Sequence, residues 1–319
     1  MEIINNVTQD VIKKAAKALK DGHLVAFPTE TVYGLGADAS NDKAVGRIYS
    51  VKRRPADHPL IVHISSINQL DKWAIDIPEY AIKLAREFWP GPMTLILKRS
   101  ELAKDFITGG QDYVGLRVPN QPEALALLSE FESLGGLGVA APSANRFGAV
   151  SPTSSNAVNE ELGQFLNNDD FILDGGQCLI GIESTIIDCT KGFPRVLRPG
   201  AITTKMVEKT INLDTSLNNN KINVRASGLL ESHYSPLAKV FLDSLAEHGD
   251  GFLALANIPT PEGAIRLASP ATTEQYAHEL YSALRLADNL KLNKVIAKLP
   301  NDGDLSDAIK DRLTKAATK

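Results

Sequence analysis

The apolar positions near the start of the chain change period twice. Val11, Ile12, Ala15, Ala16 and Leu19 recur at helical spacing behind Thr8, a residue suited to capping, and Gly22 ends the pattern. A continuous apolar run from Leu24 to Phe27 predicts a strand, and Ala44, Val45, Ile48 and Tyr49 predict a helix running into the cationic VKRRP. The alternation continues with PLIVHI, a helix from Glu79 to Trp89, and MTLILK. Short strand-like runs follow at VGLRVP, LGVAAPS, FILDGG, STIIDC and RVLRPG, several separated only by turns. That density predicts an α/β fold with a mixed sheet and flanking helices, not a purely parallel one.

From Leu213 to Val224 the chain turns polar, with three consecutive asparagines that favour turns, and reads as a linker. Beyond it KVFL, GFLALAN and KVIAKLP alternate with helical patterns near Thr273 to Leu290 and Asp304 to Ala317, as in a small α/β domain. The expected division is a domain over 1–212, a linker over 213–236 and a second domain over 237–319.

Composition narrows the function classes. The 319 residues are 43% hydrophobic and 23% charged, with a net charge of −4. With a pI near 5.9, no global basic field draws the chain to nucleic acid or to an anionic membrane; a small polyanion in a local pocket fits better. MEIINNVTQDVIKK lacks a basic segment followed by an apolar core, and no apolar stretch is long enough to span a bilayer, so neither secretion nor membrane insertion is expected. Cys178 and Cys189 have no CxxC spacing and read as buried small hydrophobes, suited to a reducing cytoplasm.

Two glycine patterns fail as nucleotide motifs. Gly34, Gly36 and Ala39 have the spacing of a dinucleotide fingerprint, but Pro28 to Tyr33 intervene between the strand and the first glycine. Gly176 and Gly181 have P-loop spacing with Ile182 and Glu183 where Lys and Ser or Thr are required. The histidines at 23, 58, 63, 233, 248 and 278 form no HExxH, and there is no GxSxG, so zinc, protease and lipase chemistry lack their residues.

Cations and hydroxyls at sharp positions remain. Lys52, Arg53 and Arg54 end a predicted helix, where a solvated cationic end is also reasonable. Arg117 interrupts an apolar strand, which is costly unless it reaches a cleft or an anionic partner, and Arg198 repeats the pattern in VLRPG. Ser143 and Asn145 in APSAN and Ser184 and Thr185 in GIEST lie at predicted strand ends, where α/β sheets place ligands, although turn-forming or capping roles also suit them.

Together, PTETVYGLG, Lys52-x-Arg54, PLIVHI, Arg117, Ser143-x-Asn145, GIESTI, LRPG and HYSP closely resemble the two-domain threonylcarbamoyl-AMP synthases. The resemblance implies a YrdC-like twisted mixed sheet, a linker and a small Rossmann-like domain. It also implies a reaction in which L-threonine, bicarbonate and ATP give threonylcarbamoyl-AMP and pyrophosphate, for a tRNA threonylcarbamoyl-transferase complex to use. It places Thr31, His63, Arg117 and Ser184 around threonine. On the ATP side it places Lys52, Arg54, His58, Ser143, Asn145, Ser151, Arg198 and Tyr234, with Lys52 and Arg54 close to the phosphates. Mg²⁺ would enter on the ATP phosphates, without protein side-chain ligands. Tyr234 would fold over the nucleotide as part of a lid. Direct tRNA binding is expected to be weak or absent.

Two segments depart from the family pattern. His58 stands where asparagine is usual, so ATP affinity is expected to vary with pH through the imidazole charge. Leu230 and Ser232 precede the His-Tyr pair where basic residues are common, and nothing in the C-terminal domain suggests catalysis. A non-catalytic RNA-binding module and a carbamoyl-transfer protein of hydrogenase maturation are the rivals. The first lacks a cluster of stacking aromatics, and the second would need acylphosphatase-like and zinc-finger segments.

Overall fold

The computed structural model describes residues 3–212, 224–228 and 234–318. Among them the strands are β1 (Ile3–Ile4), β2 (Val25–Phe27), β3 (Gly34–Asp38), β4 (Ile61–His63), β5 (Met93–Lys98), β6 (Tyr113–Arg117) and β7 (Val139–Ala140). There follow β8 (Phe171–Leu173), β9 (Thr185–Asp188), β10 (Arg195–Arg198), β11 (Lys239–Leu242), β12 (Gly251–Leu253), β13 (Ile265–Ala268) and β14 (Lys294–Ala297). The helices are α1 (Gln9–Lys20), α2 (Asp42–Lys52), α3 (Leu70–Trp73), α4 (Glu79–Phe88) and α5 (Asp105–Thr108). They continue with α6 (Pro122–Ser133), α7 (Ser155–Leu162), α8 (Thr204–Ile211), α9 (Thr273–Asn289) and α10 (Ser306–Ala317).

The first ten strands form one mixed sheet in the order β1-β8-β2-β3-β7-β4-β6-β5-β9-β10. The last four form a separate sheet, β11-β14-β12-β13, parallel throughout. This is the expected fold class: a twisted mixed sheet with flanking helices, then a small Rossmann-like domain. Of the expected linker, residues 213–223 and 229–233, Leu230 and Ser232 among them, lie outside the described residues. No helix among the described residues is long and apolar enough to cross a membrane.

Local sequence accounts for the frame. Thr8 Oγ1 accepts from Val11 N at the start of α1, whose buried Ile12, Ala15, Ala16 and Leu19 share one face and pack with Leu127, Leu128 and Phe131 of α6. The segment Gly34–Asp38 is a strand, although two glycines and an aspartate depress its strand propensity. It runs antiparallel to both β2 and β7, which also removes it from any strand-to-helix dinucleotide turn. Gly36 is required there because a Cβ would stand 2.7 Å from Val139 Cγ1 and 2.9 Å from Phe27 Cε1.

The two domains share an apolar contact. Val32, Val150 and Ile182 of the first pack with Tyr276, Ala277, Leu280 and Tyr281 of α9. Gly181, at φ 84°, seats its backbone on α9, where a Cβ would fall 2.6 Å from Ala277 O. The second glycine of the P-loop-like spacing therefore serves domain docking.

Gly36→Ala is expected to lower stability by about 1–3 kcal/mol through overpacking. Urea unfolding of the two proteins checks this, and an unchanged midpoint would contradict the close packing of β3.

Candidate active site

The segment FPTETVYG becomes a rigid wall through hydrogen bonds at both ends. Thr29 Oγ1 donates to Val32 O at 2.7 Å and accepts from the backbone N–H of Thr31 and Val32, which closes a turn. Tyr33 N donates to Pro152 O, and Ala144 N donates to Tyr33 O, so the wall is pinned between the segments carrying Ser143 and Ser151.

Parallel pairing of β4 with β6 puts His63 in register with Arg117 at the carboxyl ends of the two strands. One Arg117 guanidinium nitrogen donates to Thr31 Oγ1 at 2.9 Å. It also lies 2.7 Å from Glu30 Oε1, an ion pair whose angles miss hydrogen-bond geometry. Arg117 Nε and His63 Nδ1 are buried with no hydrogen-bond partner among the described residues. Burial, reinforced by the Arg117 charge, lowers the His63 pKa to about 3, so the ring is neutral at pH 7.

The opposite wall comes from β9 and β10. A bulge between Val196 and Arg198 redirects the end of β10. Arg198 Nε then donates to Ser184 O at 3.0 Å, and its terminal nitrogens donate to Ser184 Oγ at 3.1 Å and Ser227 O at 3.0 Å. Ser184 Oγ also lies 2.8 Å from Thr94 Oγ1. Arg54 donates to Pro59 O at 2.9 Å and to Ser227 Oγ at 3.1 Å, and burial lowers its pKa to about 10.

Arg54, His63, Arg117, Ser143, Ser184, Arg198 and Tyr234 thus line one pocket. Thr31 stands behind it, on Arg117. Lys52 does not line it. Arg53 takes a left-handed C-cap (φ 51°) at the end of α2, and the Lys52 ammonium donates to the carbonyls of Ser143, at 2.6 Å, and Asn145. Burial, with Arg54 adding to it, lowers the Lys52 pKa well below the usual lysine value. Asn145 likewise braces its own loop through Arg146 O and Ala149 O, both at 2.8 Å. Ser151 Oγ donates to Glu183 Oε1 at 2.6 Å.

His58 also stands outside the pocket lining, its ring edge on Phe147 with centroids 5.2 Å apart. Burial and the Arg54 charge lower its pKa below the ordinary histidine value.

Sequence reasoning passed over Glu183 as a site residue; it lines the pocket and is 6% exposed. Burial alone would raise its pKa, but the charges of Arg312 and Arg198 and hydrogen bonds from Ser151 and Arg312 outweigh burial and hold it down at about 2. The charge-in-an-apolar-run signal that singled out Arg117 is present at Glu183, immediately after Ile182. Tyr234, at φ 60°, stacks on Tyr281 with centroids 5.8 Å apart. It is therefore held in a backbone region that bulky residues seldom adopt.

Across pH 5 to 8, the His63 ring resonances of ¹³C-histidine-labelled protein are expected to stay at the neutral position, while His58 titrates with a midpoint below the free-histidine value of about 6.5. A His63 midpoint inside that window would contradict the pocket electrostatics. A His58 midpoint above about 6.5 would contradict the lowering by burial and the Arg54 charge.

Comparison with known proteins places these residues in context. Residues 17–200 match the sequence family described as telomere recombination, and residues 202–318 match the threonylcarbamoyl-AMP synthase C-terminal domain. The threonylcarbamoyl-AMP synthase of Pyrococcus abyssi is 38% identical over 99% of this chain and 98% of its own length. That of Bacillus subtilis is 38% identical over 96% of this chain and 92% of its own. The crystal structure of P. abyssi Sua5 complexed with L-threonine is similar at a TM-score of 0.87 and 36% identity, over 99% of this chain and 98% of that one. With both domains matched in order over nearly its whole length, the chain belongs to the threonylcarbamoyl-AMP synthase family.

Proposed function

We propose that this chain is an L-threonylcarbamoyladenylate synthase, a nucleotidyltransferase that joins L-threonine, bicarbonate and ATP into threonylcarbamoyl-AMP with release of pyrophosphate. The observation that carries the reading is the convergence of Arg54, Arg117 and Arg198 with a neutral His63, Ser143 and Ser184 in one pocket. It is supported by the names of relatives that match both domains and by the threonine complex of the P. abyssi protein.

In this reading the threonine carboxylate pairs with Arg117, whose buried Nε offers a donor edge that Glu30 and Thr31 leave open. His63 and Ser184 surround the amino acid. The threonine amine bonds to the carbon of bicarbonate-derived carbon dioxide and releases a proton, leaving a carbamate. A carbamate oxygen then bonds to the α-phosphorus of ATP as the bond to pyrophosphate breaks. Catalysis here is positioning and charge neutralisation, with no protein nucleophile.

Arg54 and Arg198 carry the phosphate side, with Ser143 at the wall. Lys52 acts from behind by fixing the carbonyls of Ser143 and Asn145. Ser151 acts through Glu183, and Tyr234 closes the nucleotide face. Mg²⁺ would arrive on the ATP phosphates. Glu183 at the pocket and Glu30 behind it are each paired with an arginine. The product, a hydrolysable mixed anhydride, calls for a transfer partner, the tRNA threonylcarbamoyl-transferase complex, in the same compartment, the cytoplasm.

Pyrophosphate release from ATP is expected to require both L-threonine and bicarbonate. Arg117→Ala or Lys52→Ala is expected to lower turnover by about 10²-fold or more, as for other preorganised charge stabilisers. Release indifferent to threonine, or a folded variant within about threefold of wild type, would contradict the assignment.

A further inference from the structure

The carboxylate of Glu183 is held from the other domain. Arg312 of α10 donates through Nε to Glu183 Oε2 at 2.9 Å and through a terminal nitrogen to the Glu183 carbonyl at 3.3 Å. Tyr281 of α9 donates to the same Oε2 at 2.8 Å. The Arg312 side chain is fully buried, and its guanidinium lies over the ring of Tyr234, 5.4 Å from the centroid. The remaining carboxylate oxygen of Glu183 accepts from Ser151. The next residue, Ser184, accepts from Arg198 through both its carbonyl and its hydroxyl.

One arginine of the C-terminal domain therefore touches the side chain and the backbone of a pocket residue whose neighbours are Ser151, Ser184 and Tyr234. α10 presents Ile309, Leu313 and Ala316 on the same buried face, where an unpaired cation would be strongly unfavourable. Core packing alone would be served by an apolar residue there. A guanidinium reaching across the interface instead fixes distance and orientation at Glu183.

We infer that Arg312, supported by Tyr281, is a positioning residue for the reaction. Acting through Glu183, it holds Ser151, Ser184 and Tyr234 in place, so that the C-terminal domain completes the pocket. This rests on the synthase reading above and extends it to a domain in which sequence suggested no catalytic part. No group of the C-terminal domain need touch the reacting atoms. Its contribution is to keep the β9 wall and the Tyr234 ring where the substrates meet them.

The test compares Arg312→Met, Arg312→Lys and the double variant Arg312→Met/Glu183→Gln with wild type, by steady-state pyrophosphate release at a temperature well below each melting point. Arg312→Met is expected to lower kcat/KM for ATP by about 10²-fold, the scale of an ångström-level misplacement. Arg312→Lys is expected to recover part of the loss, because it returns the charge to the carboxylate but not the second donor to the carbonyl. The double variant is expected to be less impaired than the product of its single losses, since it leaves no lone buried charge.

A folded Arg312→Met with kcat/KM within about threefold of wild type, its loss confined to melting temperature, would overturn the inference. Should Arg312→Met fail to fold, Arg312→Lys decides: full wild-type kcat/KM overturns it, and a reduced value supports it. A wild-type protein that releases no threonine-dependent pyrophosphate would instead contradict the synthase reading. ATP affinity by calorimetry would then test the coupling, with equal affinities in wild type and the variants overturning it.

Discussion

The pocket depends on a carboxylate that cannot stand alone. Glu183 is buried beside the strand that forms one pocket wall, and stripping a carboxylate of water costs several kcal/mol unless a cation and hydrogen-bond donors replace the solvent. Ser151, Tyr281 and Arg312 supply them, and two of the three belong to the second domain. Docking of the domains and geometry of the pocket are thereby one problem with one solution. Gly181 and Ile182 seat on α9, Glu183 meets Arg312, and Ser184 receives Arg198.

A second constraint shapes the electrostatics. Lys52, Arg54 and Arg198 are anchored chiefly by carbonyl and hydroxyl oxygens, which orient a cation without cancelling it. Arg117 alone among these faces a carboxylate, Glu30, at close range. A chain of net charge −4 can in this way hold a concentrated positive field in one pocket, the kind of field that a triphosphate and an amino-acid carboxylate require. Burial depresses the pKa values of Lys52, Arg54 and His63, and a neighbouring arginine adds to the effect at Lys52 and His63.

Much of this was legible in the sequence where a residue broke its local pattern. Arg117 and Arg198 stood out as cations in apolar strands, and both line the pocket. Glu183 and Arg312 carry the same signal, an acid after Ile182 and a cation on the apolar stripe of α10, but their meaning depends on an interface that no local pattern describes. The family resemblance put Lys52 close to the phosphates, whereas its ammonium donates to the carbonyls of Ser143 and Asn145, outside the pocket lining. The strand at Gly34–Asp38 was hidden by its glycines, since pairing on both edges, and not propensity, makes it a strand. The mixed sheet followed from the density of short strands separated only by turns, and the small α/β domain from alternating strand and helix patterns, both of which survive such local exceptions.

The most direct measurement is product identity. The protein, ATP, L-threonine and ¹³C-bicarbonate are incubated together and the nucleotide products analysed by mass spectrometry. The account predicts a threonine-containing adenylate that carries a single ¹³C from bicarbonate and disappears in Arg117→Ala. AMP or ADP as the only nucleotide products, or an adenylate without the label, would contradict it.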